Sequence, residues 1–190
     1  QVAEIVRLAN REKIPVVPLV SGMNFGGLAI PRKGGIVVDL RRMNKVIEVH
    51  EDDMYALVEG GITWGDLQGY LQRNHPSLRA GITYSPPSTG VIPAYLEHGM
   101  LDISNVAGSG SHFLNGLEVV LPTGKIVKTG TAMFSHLWYG RPPTPDISGC
   151  FIGWSGTSGI VTKASIRLWP NWVTNPWSIT AATFRKGIEI

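Results

Sequence analysis

Cysteine is nearly absent. Cys150 is the one such residue in 190, which excludes an internal disulfide framework and any thiolate-built zinc or iron–sulfur site. That usage suits a reducing compartment, and a cytoplasmic location is the expectation. Long apolar runs are missing too: none approaches the roughly 20 residues of a membrane-spanning helix. Charge of one sign is sparse. The formal net charge is +3, and basic residues are scattered in nothing longer than pairs such as Arg32-Lys33 and Arg41-Arg42, so no basic stripe points to nucleic acid or an anionic membrane. There is no signal-peptide pattern and no initiator Met. The apolar helical face expected over residues 1–11 (Val2, Ile5, Val6, Leu8 and Ala9) has no capping lead-in, and the chain is expected to be an N-terminally incomplete fragment.

Glycine is plentiful, with 23 residues, and its placement carries the reading. Residues 16–28, VVPLVSGMNFGGL, pass from an apolar run into Ser21-Gly22-Met23-Asn24-Phe25-Gly26-Gly27. Three glycines in that loop permit positive φ and leave the backbone bare, so successive N–H groups can converge on an anion such as phosphate. The spacing is neither GxGxxG nor a P-loop. An ordinary glycine-rich turn is the other reading of this loop taken alone.

The remaining pattern is α+β. An amphipathic helix to about residue 12 precedes a strand at 16–20, and a second strand follows at 36–40. Strands at 45–50 and 55–59 flank Glu51-Asp52-Asp53, an acidic trio readable as a hairpin tip or a metal site. Thr63 and Asp66 open a helix in the manner of a capping box, with Trp64, Leu67, Tyr70 and Leu71 as its buried face. Residues 74–87 read as irregular, 91–99 (VIPAYLEHG) as a short helix ended by Gly99, and 100–111 as a small-residue loop bearing Gly108 and Gly110. A strand at 117–121 turns through Pro122-Thr123-Gly124-Lys125 into 126–128. Residues 131–149 read as an inserted surface loop; a last long strand runs 160–169 and is stopped by Pro170. A fresh strand is expected at 178–184.

Taken together, SGMNFGG, PPSTG with NVAGSGS, GLEVVLPTGKIVKTG and SGTSGIVT stand in an order similar to that of the FAD-binding domain of the vanillyl-alcohol oxidase and p-cresol methylhydroxylase superfamily (the PCMH-type domain). That superfamily also holds FAD-linked D-lactate and glycolate dehydrogenases. The resemblance covers about residues 1–170 and implies a two-lobed α+β fold: a small α/β lobe over about 1–50 and a larger mixed, antiparallel lobe with flanking helices over 51–170. Residues 171–190 are then a linker and the start of a missing C-terminal cap domain that binds the substrate.

The resemblance also implies FAD as cofactor. Ser21, Gly22, Met23, Asn24, Phe25, Gly26 and Gly27 correspond to the pyrophosphate loop, where some relatives place a flavin-bonding histidine. Met23 stands there instead, so covalent attachment through this loop is not expected. Pro87, Ser88, Thr89 and Gly90, leading to Ala94 and Tyr95, resemble the second flavin-contacting segment. Gly108, Ser109 and Ser111 follow it, with His112 open between a structural and a flavin-proximal role. Ser155, Gly156, Gly159, Ile160 and Val161 resemble the third segment. Glu97-His98-Gly99 resembles the Glu-Arg-Gly of phenol-oxidising relatives.

The expected activity is oxidation of a hydroxy acid or a phenolic or alcohol substrate by hydride transfer to flavin N5. No catalytic residue is assigned and no metal is expected. The resemblance implies a small-molecule substrate bound mainly by the cap and an electron acceptor of open class, and it allows a homo-oligomer. Two other readings stay open: a nucleotide-binding module without redox chemistry, and a reductase of the same fold.

Overall fold

Residues 1–40 fold around two short parallel strands. The computed structural model describes residues 1–24, 26–97, 99–101, 104–141 and 146–171, the side chain of residue 106 excepted. Helix α1 (Val2–Glu12) buries Ala3, Val6 and Ala9 at three-residue spacing. Leu8, expected on that face, is 43% exposed, because 3.6 residues per turn carry it past the edge of the stripe. Lys13 ends the helix in the left-handed conformation. Strand β1 (Val16–Leu19) then pairs in parallel with β2 (Ile36–Asp39). Pro18 is tolerated in β1 because, among the described residues, the strand has a partner on one side only.

The larger sheet takes strands β3 (Val46–His50), β4 (Tyr55–Glu59), β6 (Leu114–Val120), β7 (Ile126–Lys128) and β8 (Ile160–Pro170) in the order β3-β4-β8-β6-β7, all antiparallel. The change of sheet falls between Asp39 and Val46, so a division at residue 50 would cut the β3-β4 hairpin from the sheet it enters. Strand β5 (Leu78–Ala80) pairs with the end of β8. It lies in the stretch expected to be irregular, and Pro170 is paired with Leu78 rather than lying beyond the strand.

One face of this sheet carries the main core. Ala56 and Val58 of β4 and Ala164, Ile166 and Leu168 of β8 meet α2 (Trp64–Asn74) and α3 (Val91–Leu96). Thr63 and Asp66 form the expected capping box, and Trp64, Leu67 and Leu71 are fully buried while Tyr70 is half-buried. Each such burial contributes about 2 kcal/mol. The loop expected at 100–111 contains α4 (Ser104–Ala107) and a tight 3-10 turn over Gly110–Phe113.

The other face is covered by residues 130–141, and for that part the expectation of an inserted surface loop is corrected here. Ala132 and Trp138 pack on Tyr55 and Leu57, and the Ser165 hydroxyl donates to the Trp138 carbonyl at 2.6 Å. Thr129, Thr131 and Ser148 are buried as well. Because β4 alternates, its odd residues need this cover as its even residues need α2 and α3. Pro142, Pro143 and Pro145 and the strand expected at 178–184 lie outside the described residues.

The two lobes share a core. Ala3, Val6, Val38 and Leu40 pack with Val120 and Ile160 at the ends of β6 and β8. Arg7 donates to the Gly124 carbonyl and Asn10 to that of Pro122, both at 3.0 Å, so α1 is seated on the turn of the β6-β7 hairpin.

Candidate cofactor site

The chain leaves β1 at Leu19 and turns through the first glycine loop, which forms one wall of a cleft of about 540 Å³ between the lobes. The loop is braced from within: Asn24 Oδ1 accepts the Leu28 N–H at 2.8 Å, and the Asn24 N–H donates to the Gly22 carbonyl at 3.0 Å. Among the described residues, the N–H groups of Gly22 and Met23 donate to no protein acceptor. Gly27 holds a φ of 62°, and the Arg32 guanidinium lies beside it, 3.5 Å from where a Cβ would stand.

A second wall is α3 with the turn before it. Thr89 is 8% exposed and its hydroxyl has no partner. Gly90 comes so close to the small lobe that a Cβ would lie 2.6 Å from Val20 Cγ1; glycine is required there by approach rather than by φ. The third wall is the segment from Phe151 to Val161. Its Gly156, with a φ of 76°, packs under the Pro18 ring.

The structure thus brings together Ser21, Gly22, Met23, Asn24, Gly26, Thr89, Ala94, Ser155, Gly156, Gly159, Ile160 and Val161 on one cleft. Gly27 and Gly90 belong to the same loops. Pro87 and Ser88 precede Thr89 in the turn but do not line the cleft, and the Pro87 carbonyl instead accepts the Gly65 N–H at 2.8 Å. Phe25 and His98 lie outside the described residues.

Four expected residues lie away from the cleft. Tyr95 is fully buried, its hydroxyl donates to the Gly81 carbonyl at 2.6 Å, and its ring meets Trp64 and Phe113. It is a core residue because α3 turns that face inward. Gly108, Ser109 and Ser111 sit behind α3 around the 3-10 turn, where Ser109 and Ser111 hydroxyls are 3.0 Å apart. His112 is exposed beside Gly108.

Other lining residues escaped the sequence reading. Thr83, Tyr84 and Ser85 reach the far end of the cleft, where the Tyr84 N–H donates to the Met100 carbonyl at 2.9 Å. Pro18, Leu40, Glu97 and Phe151 also border it. No local motif marks them; only the pairing of distant segments does. At the end of β2, hydrogen bonds from Arg41 hold the Asp39 carboxyl down at about 2.

Residues 1–130 match the family described as FAD binding domain. The flavoprotein subunit of 4-cresol dehydrogenase (hydroxylating) from Pseudomonas putida is 35% identical over 182 residues, covering 90% of this chain and 33% of that protein. Mitochondrial D-lactate dehydrogenase (cytochrome) from Arabidopsis thaliana is 32% identical over 170 residues, 88% of this chain and 28% of its own length. Among solved structures, 4-ethylphenol oxidase from Gulosibacter chungangensis superposes with a TM-score of 0.78 at 29% identity, over 90% of this chain and 33% of that one. The chain therefore spans about a third of the length of the relatives it matches. No helix among the described residues is long and apolar enough to cross a membrane. By the matched segment, the shared fold and the ordered glycine loops around one cleft, the chain belongs to the p-cresol methylhydroxylase-type FAD-binding domain family, and its cofactor is FAD.

Proposed function

We propose that this chain is the cofactor-holding part of an FAD-linked oxidase or dehydrogenase acting on a hydroxy acid or a phenolic or alcohol substrate. The observation that carries the reading is the convergence of three glycine-bearing segments on one cleft between two lobes. The residues fit FAD by their own chemistry. Gly22 and Met23 offer backbone N–H groups without protein acceptors, and Arg32 stands beside Gly27 to favour an anion. The buried, unpartnered Thr89 hydroxyl at the cleft wall leaves a hydrogen bond for a ligand to complete.

In this reading residues 21–27 hold the pyrophosphate, Thr89 and Ala94 border the flavin end, and Ser155, Gly156 and residues 159–161 hold the rest. Met23 is 51% exposed; its thioether is no nucleophile for the flavin ring, so attachment through this loop is non-covalent. When bound, the flavin would supply the redox step, taking a hydride at N5 from the carbon that is oxidised, the hydroxyl-bearing carbon of a hydroxy acid or alcohol or the ring-attached alkyl carbon of a 4-alkylphenol. Thr89, Ala94 and the residues from Ser155 to Val161 on the cleft walls would orient that ring. Substrate selection belongs to the portion of the relatives' length that this chain does not span. The lone, exposed Cys150 suits a reducing compartment such as the cytoplasm.

The test is anaerobic turnover of the full-length, FAD-loaded protein with 2-hydroxy acids and 4-alkylphenols. Bleaching of the flavin by one class supports the reading and names the substrate. Uptake of FAD with no bleaching by either class would make the module a binding domain instead.

A further inference from the structure

Both ends of α3 are tied to glycine-bearing walls of the cleft. At its start the Gly90 N–H donates to Ser21 Oγ at 3.1 Å. At its end the Gly153 N–H donates to the Leu96 carbonyl at 2.8 Å. One residue later the Glu97 carboxylate accepts the Ser155 N–H at 2.8 Å and the Ser155 hydroxyl at 3.4 Å. Glu97 and Ser155 both border the cleft.

Ser155 has a φ of 50°, between Gly153 and Gly156, each with a φ of 76°. It carries a Cβ in a left-handed conformation that such residues adopt rarely and keep only when their surroundings hold them there. The carboxylate of Glu97 is the group that grips it, across 58 residues of sequence.

We infer that Glu97 is a positioning residue for the cofactor. It fixes Ser155 in the left-handed conformation and so sets the wall formed by Ser155 and Gly156. The inference rests on the FAD reading of the cleft. Without the carboxylate, Ser155 relaxes toward negative φ, and the Ser155–Gly156 peptide plane rotates with it. The Gly156 N–H, which donates to no protein acceptor among the described residues, then changes direction. With Ser21–Gly90 at the other end, α3 acts as a strut that spaces the first and third segments.

The experiment titrates the full-length apoprotein with FAD, following flavin fluorescence, for native protein, Glu97→Ala, Glu97→Gln, Ser155→Gly and the Glu97→Ala/Ser155→Gly double variant. Loss of two hydrogen bonds to an exposed carboxylate predicts FAD affinity weakened on the order of ten-fold in Glu97→Ala. The amide of Glu97→Gln still accepts the Ser155 N–H, so that variant stays within about three-fold of native by the same bond arithmetic. Glycine enters the left-handed region without help, so Ser155→Gly relieves the defect of Glu97→Ala when the two are combined. A merely structural loss at Glu97 would not be rescued at Ser155. Native affinity in Glu97→Ala, or a loss that neither Glu97→Gln nor added Ser155→Gly relieves, overturns the inference while leaving the FAD reading intact. Failure of the native protein to take up FAD overturns both.

Discussion

Ser21 Oγ accepts a hydrogen bond from the Gly90 N–H at 3.1 Å, joining the end of β1 to the start of α3 across 69 residues. The bond closes one end of the cleft, because each partner begins a different wall. Gly90 is the N-cap of α3 and brings no side chain of its own; its N–H is taken up by the serine of the other lobe. Replacement of Ser21 by Ala removes the acceptor and frees one wall from the other. The expected result is a loss of about 1 kcal/mol in apoprotein stability, read by urea unfolding, with several-fold weaker FAD binding. Unchanged values in both measurements would show that the lobes are spaced by other contacts.

Gly26 and Gly27 are adjacent but not equivalent. Gly27 has a φ of 62°, while a Cβ at Gly26 would meet only the Leu28 side chain, at 3.5 Å. Valine at Gly27 is strained by roughly 1–3 kcal/mol, enough to turn the loop and lower FAD affinity at least about ten-fold. Valine at Gly26 is expected to have the smaller effect. Fluorescence titration of the two variants checks the order, and a reversed order would misplace the loop on the cofactor.

Thr89 gives a prediction of opposite signs. Its buried hydroxyl has no protein partner, so Thr89→Val removes an unsatisfied polar group at nearly constant shape. The apoprotein should become slightly more stable, by up to about 1 kcal/mol. FAD affinity should fall, because in the proposed site the hydroxyl's partner is the ligand. Apoprotein melting temperature and FAD titration, measured together, separate this from a simple packing effect, which would move both in one direction.

Tyr55 is fully buried and its hydroxyl donates to Glu48 Oε1 at 3.0 Å. Burial pushes its pKa up to about 12, and the Glu48 carboxylate adds to the rise. A folded-state pKa above the unfolded value near 10 means the contribution is complete below pH 10 and lost as pH rises toward about 12. Unfolding free energies from urea titrations across that interval should fall more steeply for native protein than for Tyr55→Phe, by roughly 3 kcal/mol at most. Parallel pH profiles would show that the Tyr55 hydroxyl is not the titrating group.

Much of this was legible where the governing interaction is local. Thr63 and Asp66 are three residues apart and form the capping box from their own side chains. The turn after Val120 and the alternation of β8 likewise announce themselves within a few residues. Residues 130–141 were misread because Ala132 and Trp138 are buried against Tyr55 and Leu57, far away in sequence. Tyr95 looked available for the cofactor because nothing near it in sequence shows the Gly81 carbonyl that takes its hydroxyl. The glycine loops were recognisable by their order along the chain; the Ser21–Gly90 and Glu97–Ser155 bonds that hold them around one cleft were not.

Equilibrium titration of the full-length apoprotein with FAD tests the central claim most directly. Saturable uptake of one FAD per chain, with flavin absorbance retained after gel filtration and uptake much weakened in Gly27→Val, is the predicted result. A native protein that stays colourless and takes up no FAD would contradict the account.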